Sequence, residues 1–151
     1  MLERLLQKGQ LMKKTLVLLM TAFVSTAALA DTLTVNLANL LNSKGTIKYV
    51  IVNDSAGFPE SEDSAVVDKG SVPITGKQAS FSTNLPAGKY VVSVIHDENN
   101  NDQLDTTMKI PREGFGFSNN PGIKFGPPSY DDCEFNVSGD TKITIKMKHL
   151  L

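Results

Sequence analysis

The chain has 151 residues, with 15 Lys and Arg against 16 Asp and Glu, 40% hydrophobic residues and one cysteine. That length suits a single domain. The balanced charge leaves no basic footprint for nucleic acid, and one thiol excludes an internal disulfide framework.

The first element in chain order is an export signal. Lys13 and Lys14 precede an apolar run over residues 16–24, and a small-residue stretch ends in Ala28-Leu29-Ala30. These are the charged n-region, the h-region and the cleavage site of a secretory signal. The apolar run is short for a bilayer crossing, so no transmembrane span is expected in the mature chain. Cleavage after Ala30 would leave residues 31–151 as a periplasmic or secreted domain. The residues before Met12 read as an upstream extension, with Met1 and Met12 as alternative starts. Residues 1–30 hold four of the 15 basic and one of the 16 acidic side chains, so the remainder carries a net charge of −4. That charge argues against an anionic membrane surface as a partner.

Beyond residue 30 the hydrophobic period is two. Leu33, Val35 and Leu37 alternate with Thr32, Thr34 and Asn36; Ile47, Tyr49 and Ile51 alternate with Lys48, Val50 and Val52. A further strand is expected around residues 78–83, centred on Phe81. Residues 90–95 are apolar on both faces, which marks a central strand. Ile143 and Ile145 alternate with Lys142, Thr144 and Lys146. Turn chemistry separates these segments: Asn42-Ser43-Lys44-Gly45 reads as a hairpin between the first two strands, Pro86-Ala87-Gly88 as a turn, and Ser138-Gly139-Asp140 as a last hairpin. The pattern predicts an all-β, single antiparallel β-sandwich, immunoglobulin-like or transthyretin-like.

Two segments break the period. Residues 54–69 are acidic with Pro59 and read as a loop with a helical turn. Residues 106–132 are rich in Gly and Pro, yet carry Phe115, Phe117, Phe125 and Tyr130. Disordered segments lack aromatics, so this insertion is expected to pack on the sandwich.

Between them lies HDENNNDQLD, residues 96–105, the stretch with the clearest chemistry. Asp97, Asn99, Asn101 and Asp105 place side-chain oxygens at alternate positions, and Gln103 adds a main-chain carbonyl. Calcium takes several oxygen ligands at about 2.3–2.6 Å from a flexible loop. An EF-hand would place a bidentate Glu at the twelfth position, which here is Met108. A calcium site must therefore borrow a carboxylate, for example from Asp131 or Asp132, and would be weak. The alternative is a turn in which Asx side chains bond their own backbone. Zinc is disfavoured, with Cys133 the only sulfur and His96 without a neighbouring ligand.

Together these motifs resemble a known family. The residues Asn84-Leu85-Pro86-Ala87-Gly88-Lys89-Tyr90, the run from His96 to Asp105, then Ile110-Pro111-Arg112-Glu113-Gly114-Phe115-Gly116-Phe117-Ser118-Asn119-Asn120 and Phe125-Gly126-Pro127-Pro128 resemble domain-of-unknown-function family 2141 of exported bacterial proteins. The resemblance covers essentially all of residues 31–151 and implies an exported β-sandwich, without a defined activity. The family's usual loop has glycine where this chain has Asp102.

Arg112, Phe115, Phe117, Asn119 and Asn120 have two readings. Aromatic faces beside polar side chains suit a sugar- or peptide-binding groove; alternatively the phenylalanines are satellite core residues, the favoured reading. Cys133 reads as a small buried apolar residue, with an intermolecular disulfide or a reactive thiol as the alternative. No G-x-S-x-G, H-E-x-x-H or phosphate loop is present. The expected function is a non-catalytic binding or structural module with a calcium-stabilised loop and a small-molecule, glycan or protein ligand. A periplasmic hydrolase using the face around His96 and Asp131 is the alternative.

Overall fold

A computed structural model describes residues 30–60, 62–123 and 126–151. Residues 1–29, which include the stretch read as an export signal, and Phe125 lie outside the described residues. In chain order the elements are β1 (Asp31–Ala38), β2 (Thr46–Val52), β3 (Val66–Pro73), β4 (Ala79–Leu85), β5 (Gly88–Asp97), β6 (Thr106–Thr107), β7 (Ile110–Pro111), β8 (Phe115–Phe117), the single helical turn α1 (Tyr130–Cys133), β9 (Phe135–Val137) and β10 (Thr141–Lys146).

The alternating apolar residues build two sheets that face each other. Sheet A has the order β10-β1-β4, and sheet B has the order β3-β2-β5-β8 with β9 also on β5. Leu33, Val35 and Leu37 of β1 and Ile145 of β10 share one buried cluster with Ile47 and Ile51 of β2 and Val92 and Val94 of β5. Burying each such side chain stabilises by about 1.5–3 kcal/mol. The architecture is all-β and sandwich-like. Among the described residues no helix is long and apolar enough to cross a membrane.

Several local expectations need correction. The turn at residues 42–45 does not close a hairpin, because β1 and β2 belong to different sheets. Its turn chemistry is present: Asn42 Oδ1 accepts Lys44 N–H at 2.9 Å, and Gly45 has φ 61°. Both edges of β1 are already taken by β4 and β10, so the bend carries the chain across to sheet B. Residues 138–140 are likewise a crossover, from β9 on sheet B to β10 on sheet A. The sheets are not wholly antiparallel: β1 and β10 run parallel, with Leu33 beside Thr141 and Ala38 beside Lys146. The segment read as a loop over residues 54–69 ends inside a strand, since β3 begins at Val66. Its alternation is weak because it is an edge strand with a register shift opposite Ile51 and Val52.

β5 is central, as its two apolar faces require. Tyr90, Val92 and Val94 point into the inter-sheet core. Val91 and Ile95 point outward into a second cluster with Val52, Ala65, Phe115, Phe117 and Cys133. That cluster is roofed by the two period-breaking segments: Phe58 sets its ring edge against Phe117 and Tyr130, with centroids at 5.8 and 5.7 Å. The long insertion thus packs on the sandwich, over the outer face of sheet B.

The Gly-Phe-Gly-Phe run at residues 114–117 follows from this two-sided packing. The phenylalanines face the outer cluster, and the glycines face inward where the end of the chain crosses. A Cβ on Gly116 would lie 2.6 Å from Ile145 Cγ2, and one on Gly114 would lie 2.6 Å from His149 Cε1.

Candidate functional site

The loop after β5 begins with a buried carboxylate. Asp97 has no exposed surface. Burial of an unpaired charge is costly, and here two main-chain donors offset it: Asn101 N–H to Oδ1 at 3.0 Å and Asp102 N–H to Oδ2 at 2.9 Å. The next two alternate side chains repeat the device. Asn99 Oδ1 accepts Asn101 N–H at 3.1 Å, and Asn101 Oδ1 accepts Gln103 N–H at 2.9 Å. Both carboxamides then turn their Nδ2 toward Asp105, to Oδ2 at 2.9 Å and Oδ1 at 3.0 Å. Asn99 and Asn101 therefore turn their nitrogens to Asp105, while their oxygens and the Asp97 carboxylate are taken up by main-chain N–H groups of the loop.

Asp102 takes the left-handed conformation that glycine favours, at φ 63°. Asp is among the residues that tolerate this region. Its side chain points away to an ion pair with Lys48 Nζ at 2.5 Å. At the other end of the bend, Gly45 is required by close approach: a Cβ there would lie 1.9 Å from the Asp97 carbonyl oxygen.

Sequence reasoning missed Glu113, which fastens the loop. It is buried at 5% exposure. Oε1 accepts Glu98 N–H at 2.9 Å and Oε2 accepts Asp105 N–H at 3.0 Å, so one carboxylate clamps both ends. Arg112 N–H adds a bond to the Asp105 carbonyl at 2.9 Å. The only sequence sign of this role is a carboxylate placed at the mouth of the Gly-Phe-Gly-Phe run. Asp131 and Asp132, suggested as borrowed carboxylates, sit instead on α1, where Asp132 serves the Ser129 cap. Among the described residues no group of three or more His, Cys, Asp and Glu side chains is placed to hold a metal.

The described body spans the same stretch that one family model matches, residues 35–146, from within β1 to the end of β10. The chain belongs to DUF2141. That family is described as an uncharacterized protein conserved in bacteria. Searches of curated proteins and of solved structures gave no match.

In this DUF2141 chain the second group of expected site residues divides. Phe115 and Phe117 are buried at 6% and 9% exposure. They still contribute to an apolar cleft of about 790 Å³ on the outer face of sheet B, walled by Leu104, Ile110, Ile123 and Leu150. Arg112, Asn119 and Asn120 do not line it. Asn119 donates to the Glu134 carbonyl at 2.6 Å. Asn120 donates to the Thr144 carbonyl at 2.8 Å and accepts Lys146 N–H at 2.7 Å, so its carboxamide imitates a peptide along the outer edge of β10.

The two histidines of the DUF2141 chain, far apart in sequence, flank Gly114. A Cβ on that glycine would lie 3.1 Å from His149 Nδ1 and 3.3 Å from His96 Cβ. Each ring bonds a main-chain carbonyl through Nε2: His96 to Lys44 at 2.8 Å and His149 to Asn39 at 2.9 Å. A carbonyl only accepts, so Nε2 carries the proton in both. His96 is fully buried, and its Nδ1 has no partner among the described residues. It faces the inter-sheet core, whereas Asp131 is exposed on the opposite side of sheet B. Burial and the nearby Asp132 charge push the Cys133 thiol up to about 11.

Proposed function

We propose that the chain is an exported, non-catalytic binding or structural module whose loop at residues 97–105 is stabilised by calcium. The observation that carries the reading is that Asn99 and Asn101 both bond Asp105 while Asp97 accepts two main-chain N–H groups of the same loop. Asp97, Asn99, Asn101 and Asp105 supply side-chain oxygens, and Gln103 a carbonyl, which suits a hard cation. Calcium must displace two carboxamide N–H groups from Asp105, so affinity belongs with extracellular modules, at about 10⁻⁴–10⁻³ M. The separation of His96 from Asp131 across sheet B favours this reading over a hydrolase. Placement in the immunoglobulin-like or transthyretin-like class belongs to the same proposal, supported by two packed sheets whose first and last strands lie side by side.

Thermal melts with and without calcium test the cation. If only the folded state binds, stability rises by about 2.7 kcal/mol at a hundredfold excess over Kd. An unchanged melt at about 100 mM calcium, a hundredfold over the weaker end of that range, removes the ion, as does an equal shift in an Asp97→Ala/Asp105→Ala variant. Export is tested by intact mass: cleavage after Ala30 is expected, and a species still starting at Met1 or Met12 contradicts it.

A further inference from the structure

We propose that the cleft on the outer face of sheet B binds one uncharged, aliphatic small molecule. This goes beyond the cation loop and stands whether or not that loop takes calcium. Three observations carry it.

The first is size and lining. At about 790 Å³ the cleft falls among small-molecule sites, which run to about 300–1,000 Å³. Ile95, Leu104, Phe115 and Phe117 give it carbon surfaces, and the neutral hydroxyl-bearing residues Ser93 and Thr106 add polarity without charge.

The second is the cost of its wall. The β6–β7 hairpin has two residues per strand, and its tip residues Met108 and Lys109 have φ 51° and 66°. Positive φ at both central positions marks a type I′ turn, where Asn and Gly are the usual residues. Met108 is 90% exposed and Ile110 42%, so the hairpin does not bury its apolar side chains in the fold. Backbone strain of this kind concentrates at ligand clamps. The hairpin is held from its base, where Arg112 N–H bonds Asp105 and the Glu113 clamp fixes that residue in turn.

The third is charge. Among the described residues the lining holds one cation, Lys109, and one anion, Glu60. An ionic head drawn to one is opposed by the other, while a neutral molecule is indifferent to both.

The test is fluorescence titration of the purified protein with the uncharged probe N-phenyl-1-naphthylamine, in chelator. Saturable one-to-one binding is expected, displaced by 1-decanol and at least about tenfold less well by decanoate or decylammonium. Ile110→Asp and Leu150→Asp each put a carboxylate on the wall at exposed positions. Each should weaken the probe at least about tenfold with an unchanged melting temperature, and Leu150→Asp decides should Ile110→Asp fail to fold. Absence of saturable binding overturns the proposal, as does undiminished binding in Leu150→Asp, or displacement by decanoate or decylammonium matching that by decanol.

Discussion

At the scale of single residues, the loop is governed by carboxylates that accept main-chain N–H groups. Asp97→Ala leaves the Asp102 amide without its acceptor and the Asn101 amide with Asn99 Oδ1 alone. A hydrogen bond to a charged group contributes about 1.5–3 kcal/mol, so the variant should lose about 3 kcal/mol in urea unfolding, and Asp97→Asn, which keeps one acceptor, less. Glu113→Gln turns an amide donor toward one of two main-chain donors and should cost about 1–3 kcal/mol by the same measurement. The Cys133 thiol makes a second residue-scale prediction. Its pKa is raised to about 11, so the folded state holds its proton more tightly than the unfolded one. This contribution is complete below the ordinary thiol value of 9.0 and is lost as pH rises toward about 11. At pH 8 a disulfide reagent should modify Cys133 only in denaturant; rapid labelling of the native protein would contradict its burial. The alternate oxygens of the loop were legible as a pattern, because the spacing is local. Glu113 was not, since its partners Glu98 and Asp105 lie 15 and 8 residues away and meet it only in the fold.

At the scale of elements, the decisive positions are those where two segments touch. Gly116→Ala would force a methyl within 2.6 Å of Ile145 Cγ2, a side chain with no exposed surface. Overpacking of this kind costs about 1–3 kcal/mol. Gly122→Ala meets nothing within 4 Å and has no positive φ. It should stabilise by about 0.4–1 kcal/mol, chiefly through the unfolded chain. Opposite shifts in melting temperature for the two alanines are the expected result. Strand existence was readable for β1, β2, β4, β5 and β10 because each alternates or is doubly apolar. The strand β3 was hidden, since an edge strand with alternating half-exposed residues carries little hydrophobic signal. Turn residues announced bends at 42–45 and 138–140 but not their destinations. Turn chemistry is local, whereas the choice between hairpin and crossover depends on which edges of β1 are free.

At the scale of the whole molecule, sheet A joins the beginning and the end of the described chain. Leu33 pairs with Thr141, and Asp31 Oδ2 accepts Gly139 N–H at 2.8 Å. Non-local pairing must meet its loop-closure cost before contacts reward it, so refolding belongs in milliseconds to seconds. Stopped-flow refolding within microseconds would contradict this topology. Composition and period indicated the all-β class. The parallel closure by β10 stayed invisible, because no local pattern records which strand a distant segment will meet.

That closure has a consequence for how the body is made. A ribosome delivers residues in order, and of the three ribbons of sheet A the middle one is delivered first while one of its flanks arrives last. Until residue 146 emerges, β1 lacks a neighbour on that side, and the half-finished product stays open along its length. A polypeptide wired in this way cannot finish sheet A until its last ribbon is available to its first.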